Sequence, residues 1–526
     1  MRPSADLSLP YRPLRLIGGA AVAALVAALI TTLFWSILSA AATSHPSGSS
    51  DLDLGYLVYI TTLQATLSTI LSLIVGIAVT WSLNRLRFPG HGLIVGLFAA
   101  AIVTPGIVVA FGLIDVWGRA DWFGALNVPI FGLGGVVAAH LILDGAFAAR
   151  ILLARLDAVP DARLKTGQSL ALGAATRFAV IDWPAMRGAL PGLAAIIFLL
   201  AFTSFPIVLL LGGGPSVQTL EVAIYSKVRL DFDLGAAVEL ALLQIAFCSA
   251  VILVSAALTP VSIAVGRPRP QAWCDRGIAK WAQIAILVVA LLGFAAPLLS
   301  VLADGIEGIT AILSQPGFWS AAVTSICIAA VSALLAVALG LVVAAARAAT
   351  RLRSARTALG APAYAYLAVP AVTLSLGAFL LVRALGLAPD IAGPPIVIVA
   401  NALLSLPFAL ATLGPPLDAI ARTRGRLIRS LGIRGPAQFA LIELPLISVD
   451  LGLVLALSFC FSLGDLGVIA LFGTQNFVTL PLLMVRDLGA YRTHDAAAVA
   501  ALMLVLTVAA FTVLPRIVGR LADARP

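Results

Sequence analysis

Acidic side chains inside long apolar runs are the residues of this sequence that could do chemistry. Asp144 stands in "HLILDGAFAAR" and Asp465 in "SLGDLG", where Gly464 and Gly467 loosen the helix. Glu239 opens an apolar run that carries Gln244 five residues later. A carboxylate in hydrocarbon is costly, so it marks a functional position by default. What it offers is attraction of a cation within a low-dielectric passage. A shift of 261 in numbering sets Ser204, in "FTSFP", opposite Asp465, and Ser405 opposite Asp144. We take Asp144, Ser204, Glu239 and Asp465 as candidates for a substrate path. Each acid also has a plainer role open to it, at a helix end or hydrogen-bonded to a neighbouring helix.

Other chemistries find little footing. Cys248, Cys274, Cys327 and Cys460 are scattered, and His45, His91, His140 and His494 form no cluster, so neither a disulfide framework nor a metal site is expected. His140 matches Asn401 at the same shift, which points to packing. A P-loop needs Gly-Lys-Ser/Thr so that the lysine reaches the phosphates. The three lysines stand in "LKT", "SKV" and "AKW", none after a glycine. No catalytic residue and no bound cofactor are expected, and any ATP chemistry, with its Mg, would belong to a partner.

The elements that hold these residues must be membrane helices. Apolar residues make up 61% of the 526 and charged residues 11%, with a mean hydropathy of +1.08. Soluble domains run near 45–50% apolar and about 25% charged. Runs of about 20 apolar residues centre near positions 28, 70, 103, 141, 201, 248, 291, 332, 372, 403, 460 and 505. The first exceeds a secretory core of about 7–15 residues, and is expected to be a retained helix. With Met1 on the cytoplasmic side, all but six of the 33 basic residues fall in cytoplasmic segments; the six are Arg119, Lys227, Arg229, Arg383, Arg486 and Arg492. This asymmetry is the positive-inside pattern and places both termini in the cytoplasm. The net charge of +9 therefore describes topology, and no nucleic-acid partner is expected. The expected fold is an all-α polytopic membrane protein of about twelve helices in the lipid bilayer.

The chain contains itself twice. Residues 140–184 match 401–445 without a gap at the same shift: Leu156-Asp157-Ala158 with Leu417-Asp418-Ala419, Asp182 with Glu443, Pro184 with Pro445. The expected organisation is a first domain at 1–265, a basic linker at 266–280, and a second domain at 281–526. Both halves start on the same side, so they are parallel repeats with a path near their interface.

Two loops of about 30 residues, near 155–190 and 416–447, recur at the same place in each half. Each reads as helix, stop, helix. Gly432 is the expected left-handed C-cap, Arg-Gly-Pro restarts the chain, and Pro445 is expected to turn it back into the membrane. Two such loops suit a two-fold partner. On the other side, 212–233 and 473–494 correspond through Thr219-Leu220 and Thr479-Leu480, and are expected to gate the path and receive a delivery protein.

Gly432, Ile442, Leu444 and Pro445 resemble the second part of the signature loop of ABC importer permeases. Their first-half partners are Ser169, Leu170, Ala171, Gly173, Ile181 and Pro184, matched to Ser430 and Leu431 onward. The Glu-Ala-Ala positions of that loop are Arg426-Leu427-Ile428 and Lys165-Thr166-Gly167 here, and Ala171 takes the glycine's place with Gly173 two residues on. Residues 462–506, together with "DWPAMRGALP" and the two-halves-in-one-chain design, are similar to the fused thiamine permeases of bacterial ABC importers. That resemblance implies two parallel six-helix (MetI-like) repeats in the inner membrane. It implies uptake of thiamine and its phosphates from a periplasmic binding protein, driven by a homodimeric ATPase docked on the two loops. Fused ferric-iron permeases share the design, and an ion-driven secondary transporter of parallel repeats is the alternative from another class.

Overall fold

The computed structural model describes residues 12–43, 53–118, 129–256, 273–366, 369–433 and 435–523. Among them every regular element is helical. The first half runs α1 (Arg12–Thr43), α2 (Leu54–Arg85), α3 (His91–Ala100), α4 (Gly106–Trp117), α5 (Leu133–Asp157), α6 (Asp161–Ser169), α7 (Ala174–Arg177), α8 (Trp183–Met186), α9 (Leu190–Phe202), α10 (Pro206–Leu211), α11 (Leu220–Arg229) and α12 (Leu234–Ala256). The second runs α13 (Ile278–Leu313), α14 (Pro316–Ala349), α15 (Arg353–Ala365), α16 (Ala371–Ala384), α17 (Pro389–Thr423), α18 (Gly425–Ser430), α19 (Gly435–Gln438), α20 (Leu444–Leu463), α21 (Ile469–Phe472), α22 (Leu480–Gly489) and α23 (Thr493–Asp523). In hydrocarbon every backbone polar group needs an internal partner, which helices supply.

Among the described residues nine helices are long and apolar enough to cross a membrane, and eleven spans result if two bent pairs count. With the shorter apolar helix Ala371–Ala384, these lie at the positions of the about twelve expected spans, two of them bent and one short. Proline is the reason near position 103: Thr104 before Pro105 is extended, and α3 and α4 meet at 110°. The equivalent α16 starts after Pro370 and has only 14 residues. Part of the expected linker (266–272) lies outside the described residues.

The halves exchange their first helices. α1 packs on α14, α15 and α16 and less on α12 of its own half, while α13 packs on α2 and α4 as well as on α23 of its own half. The same contact secures both crossings. Ser36 of α1 donates to the Gly377 carbonyl at 2.7 Å, and Ser300 of α13 to the Gly112 carbonyl at 3.4 Å. Both glycines let backbones touch: a Cβ on Gly112 would lie 2.3 Å from the Pro297 carbonyl oxygen, and one on Gly377 3.0 Å from that of Leu33. Small residues at membrane helix crossings permit this approach.

The repeat also extends to an uncommon backbone feature. Phe178–Asp182 and Phe439–Glu443 are both π-helical turns at matched positions. In each, the next N–H reaches back five residues, Trp183 to Phe178 and Leu444 to Phe439. The widened turn lets the following proline, Pro184 or Pro445, enter without the clash that proline makes inside a regular helix. Pro445 therefore does not turn the chain: 435–463 forms one span. In the first half the 63° bend falls between Ala174–Met186 and Leu190–Phe202, beyond Pro184.

Candidate functional site

The loop at 155–190 is built by α6, α7 and α8. α6 ends in a paired cap: Leu172 N–H bonds the Gly167 carbonyl at 3.2 Å and Ala171 N–H that of Gln168 at 3.0 Å. This geometry needs a left-handed residue, and Ala171 supplies it at φ +50. Gly432 occupies the equivalent position at φ +65, with Ile433 N–H on the Ile428 carbonyl at 3.2 Å. Gly173 is extended, so the cap stays at Ala171 and is not displaced onto the glycine. Alanine is strained there. Ala171→Gly should raise thermal stability by about 0.5–1 kcal/mol, read by melting the purified chain; an unchanged or lower melting point would contradict the strain.

Each loop presents the same apolar pair to its surroundings. Leu170 and Leu431 are 66% and 60% exposed, Val180 and Leu441 51% and 61%. Ser169 and Ser430 are exposed beside them and bond back into their own helices, to Thr166 and Leu427, both at 2.8 Å. Ile181 is buried, whereas Pro184, Ile442, Leu444 and Pro445 are half-buried. Single exposed apolar residues are ordinary, but here the same two positions are exposed in both loops.

Charge ties the second loop to the start of α1 and the first loop to the segment before α13. Glu443 accepts both guanidinium nitrogens of Arg15 (2.8 and 2.9 Å) and the Gln438 amide at 2.7 Å. In the first half Arg85 bonds Asp182, and Asp275 lies 4.0 Å from Arg85 and 3.8 Å from Arg177. Arg177 also donates to the Trp273 carbonyl at 2.8 Å and stacks 3.8 Å over its ring. Trp273 sits against Gly167, the counterpart of the buried Ile428. A residue ahead of α13 thus fills the space that Ile428 fills in the other loop.

The seam between the halves gathers a second set of polar groups. Asp465 lies in the break between α20 and α21, and its Oδ1 accepts the Val468 N–H at 3.2 Å. Packed around that break are α11, which carries Glu221, and α16, which follows Tyr366; both side chains are fully buried. Glu221 Oε1 accepts the Gln244 amide at 3.1 Å, and Gln244 Oε1 accepts the Thr373 hydroxyl at 2.9 Å. Ser204 is buried in the matching break between α9 and α10. Asp144 stays apart, paired with His140 at 3.1 Å. Glu239 lies on the exposed face of α12, away from the seam.

Glu221 is the functional candidate that sequence reasoning missed. It sits in a polar stretch that reads as an outer loop. The stretch folds inward instead, since Leu220 N–H bonds Thr61 Oγ1 of α2 at 3.1 Å. Leu480 N–H does the same with Ser325 of α14 at 2.7 Å. The Thr-Leu pairs therefore mark two inserted helices, and that match was the available signal. Farther along α17, Phe408 and its repeat partner Phe147 line one apolar cavity of about 20 Å³ with Phe511, Thr412 and Ile102.

No protein-family model matches the chain. It is 34% identical over 528 residues to the thiamine transport system permease protein ThiP of Escherichia coli K12, covering 97% of this chain and 98% of that protein. It is 35% identical over 518 residues to the protein so described in Brucella melitensis, covering 94% of each. The molybdenum transport system permease protein ModB of Azotobacter vinelandii is 28% identical over 167 residues, 30% of this chain and 74% of that protein.

Proposed function

The chain belongs to the thiamine transport system permease family, and from that premise we propose that it carries thiamine and thiamine phosphates across the bacterial inner membrane. It does so as the spanning subunit of an ABC importer. The observation that carries this reading is likeness to thiamine permeases over both halves, end to end. Neither the ferric-iron nor the ion-driven alternative gains support from the relatives. A periplasmic binding protein delivers the vitamin, and a separate ATPase homodimer hydrolyses ATP and docks on the two loops. Both termini are cytoplasmic.

The swapped helices supply a mechanism. Arg15 ties the start of α1 to the second loop, and Asp275 ties the segment before α13 to the first. Each loop therefore moves together with the exchanged helix that packs on its own half. Closure of the ATPase draws the loops together through Leu170, Val180, Leu431 and Leu441. The two exchanged units rotate against each other, and the seam opens outward. Release of ADP resets it.

Labelled thiamine uptake tests the reading, in a thiamine-auxotrophic deletion strain supplied with this chain, its ATPase and its binding protein. Uptake should require all three, and should stop when the ATPase is inactivated. An ATPase-dependent complex that imports ferric iron and no thiamine would overturn the substrate.

A further inference from the structure

Glu221, at the start of α11, and Asp465, in the break before α21, come from opposite halves, and α11 packs on both α21 and α16. Among the described residues neither has an ion-pair partner, and no basic group acts on either. Gln244 and the Val372 backbone act on Glu221, and the Val468, Ile469 and Gly467 backbone with Asn401 act on Asp465; the closest bonds fall on one oxygen of each carboxylate, from Gln244 and from the Val468 N–H. The others, Glu221 Oε2 and Asp465 Oδ2, are buried without a hydrogen-bond partner. So are Asn401 Oδ1 and the hydroxyl of Tyr366. Asn401 donates one Nδ2 hydrogen to Ser462 at 2.9 Å and has the second available for Asp465. The unpartnered set is thus three acceptor oxygens and one phenol. Buried carboxylates of this kind are costly unless a proton or a cation joins them.

We propose that Glu221, Asp465 and Tyr366 form a cation-receiving site at the seam, built for the quaternary nitrogen of a thiazolium ring. The inference rests on the thiamine reading above. A quaternary nitrogen cannot donate a hydrogen bond, so negative charge and an aromatic ring suit it better than a cage of directed acceptors. The site uses interrupted helices at the repeat interface, where transporter sites form.

Glu221→Gln and Asp465→Asn keep the oxygens that accept from Gln244 and Val468, so both variants retain those bonds. Thiamine binding to the purified full-length chain in lipid nanodiscs would be measured by calorimetry and by ligand-induced melting shift. The comparison ligand is an isostere with a neutral thiophene in place of the thiazolium. Wild type should bind thiamine in preference to the isostere, and each amide variant should weaken thiamine about tenfold or more while leaving the isostere unchanged. Without ligand the variants should melt no lower than wild type, because a buried like charge has been removed. Equal loss for both ligands, a lower melting point without ligand, a shift by sodium in place of thiamine, or no binding by wild type would each overturn the site. The uptake assay reads the thiamine assignment separately, so failure here leaves that assignment standing.

Discussion

Gly112→Val should eliminate folded permease from the membrane. The new Cβ would lie 2.3 Å from the carbonyl oxygen of Pro297 and 2.8 Å from its carbon, both backbone atoms of the exchanged helix α13. Backbone cannot rotate aside as a side chain can. α13 would have to leave α4, exposing the seat on which the second half crosses to the first. Overpacking a well-filled interior costs about 1–3 kcal/mol where side chains can adjust, and this contact exceeds that case. A domain's whole stability is about 5–15 kcal/mol. Gly377→Ala places its Cβ at 3.0 Å from Leu33 and should lose far less. Gly96→Val, with nothing within 4 Å, should be near neutral. Yield and melting temperature after gel filtration measure all three, and wild-type melting by Gly112→Val would refute the crossing.

Arg85→Ala should be the next most damaging change. Arg85 is 1% exposed and faces Asp182 and Asp275, themselves 3% and 6% exposed at their side chains. Its loss takes the guanidinium from Asp182, while Asp275 keeps Arg177 and the Gln283 amide. Removing one partner of a buried pair costs about 3–5 kcal/mol. The double variant Arg85→Met with Asp182→Leu should recover much of that loss, since an apolar pair can replace a buried ionic one. Arg15→Ala should cost less, because Arg15 is 17% exposed and Glu443 keeps Gln438. Chemical denaturation of the purified chain gives the ranking. Equal effects at Arg85 and Arg15 would contradict it.

The repeat was legible because polar loops keep their spacing. The ungapped match of 140–184 to 401–445 foretold paired loops, and the structure adds paired caps and paired π turns at the same positions. Ala171 was harder to read, since alanine gives no local sign of a left-handed backbone; the match to Gly432 alone points there. The π turns escaped notice because proline ordinarily ends a helix, and their widened geometry has no composition of its own. Helix exchange left no periodic trace either. It depends on Gly112 meeting Pro297 and Gly377 meeting Leu33, contacts across 185 and 344 residues of chain. The acids divided by burial: Asp465 reached the seam, Asp144 found His140, and Glu239 faced outward, while Glu221 was masked by its polar neighbours. Hydropathy reports how apolar a stretch is and not which way a side chain faces.

The proposed mechanism has ATP, acting through two repeated loops, drive thiamine across the seam. Its most direct test is accumulation of labelled thiamine in proteoliposomes holding this chain, its ATPase and its binding protein, with and without ATP. Accumulation should require ATP, and Leu170→Arg with Leu431→Arg should abolish it while thiamine binding to the chain persists. Accumulation without ATP, driven by an ion gradient and indifferent to the two leucines, would contradict the account.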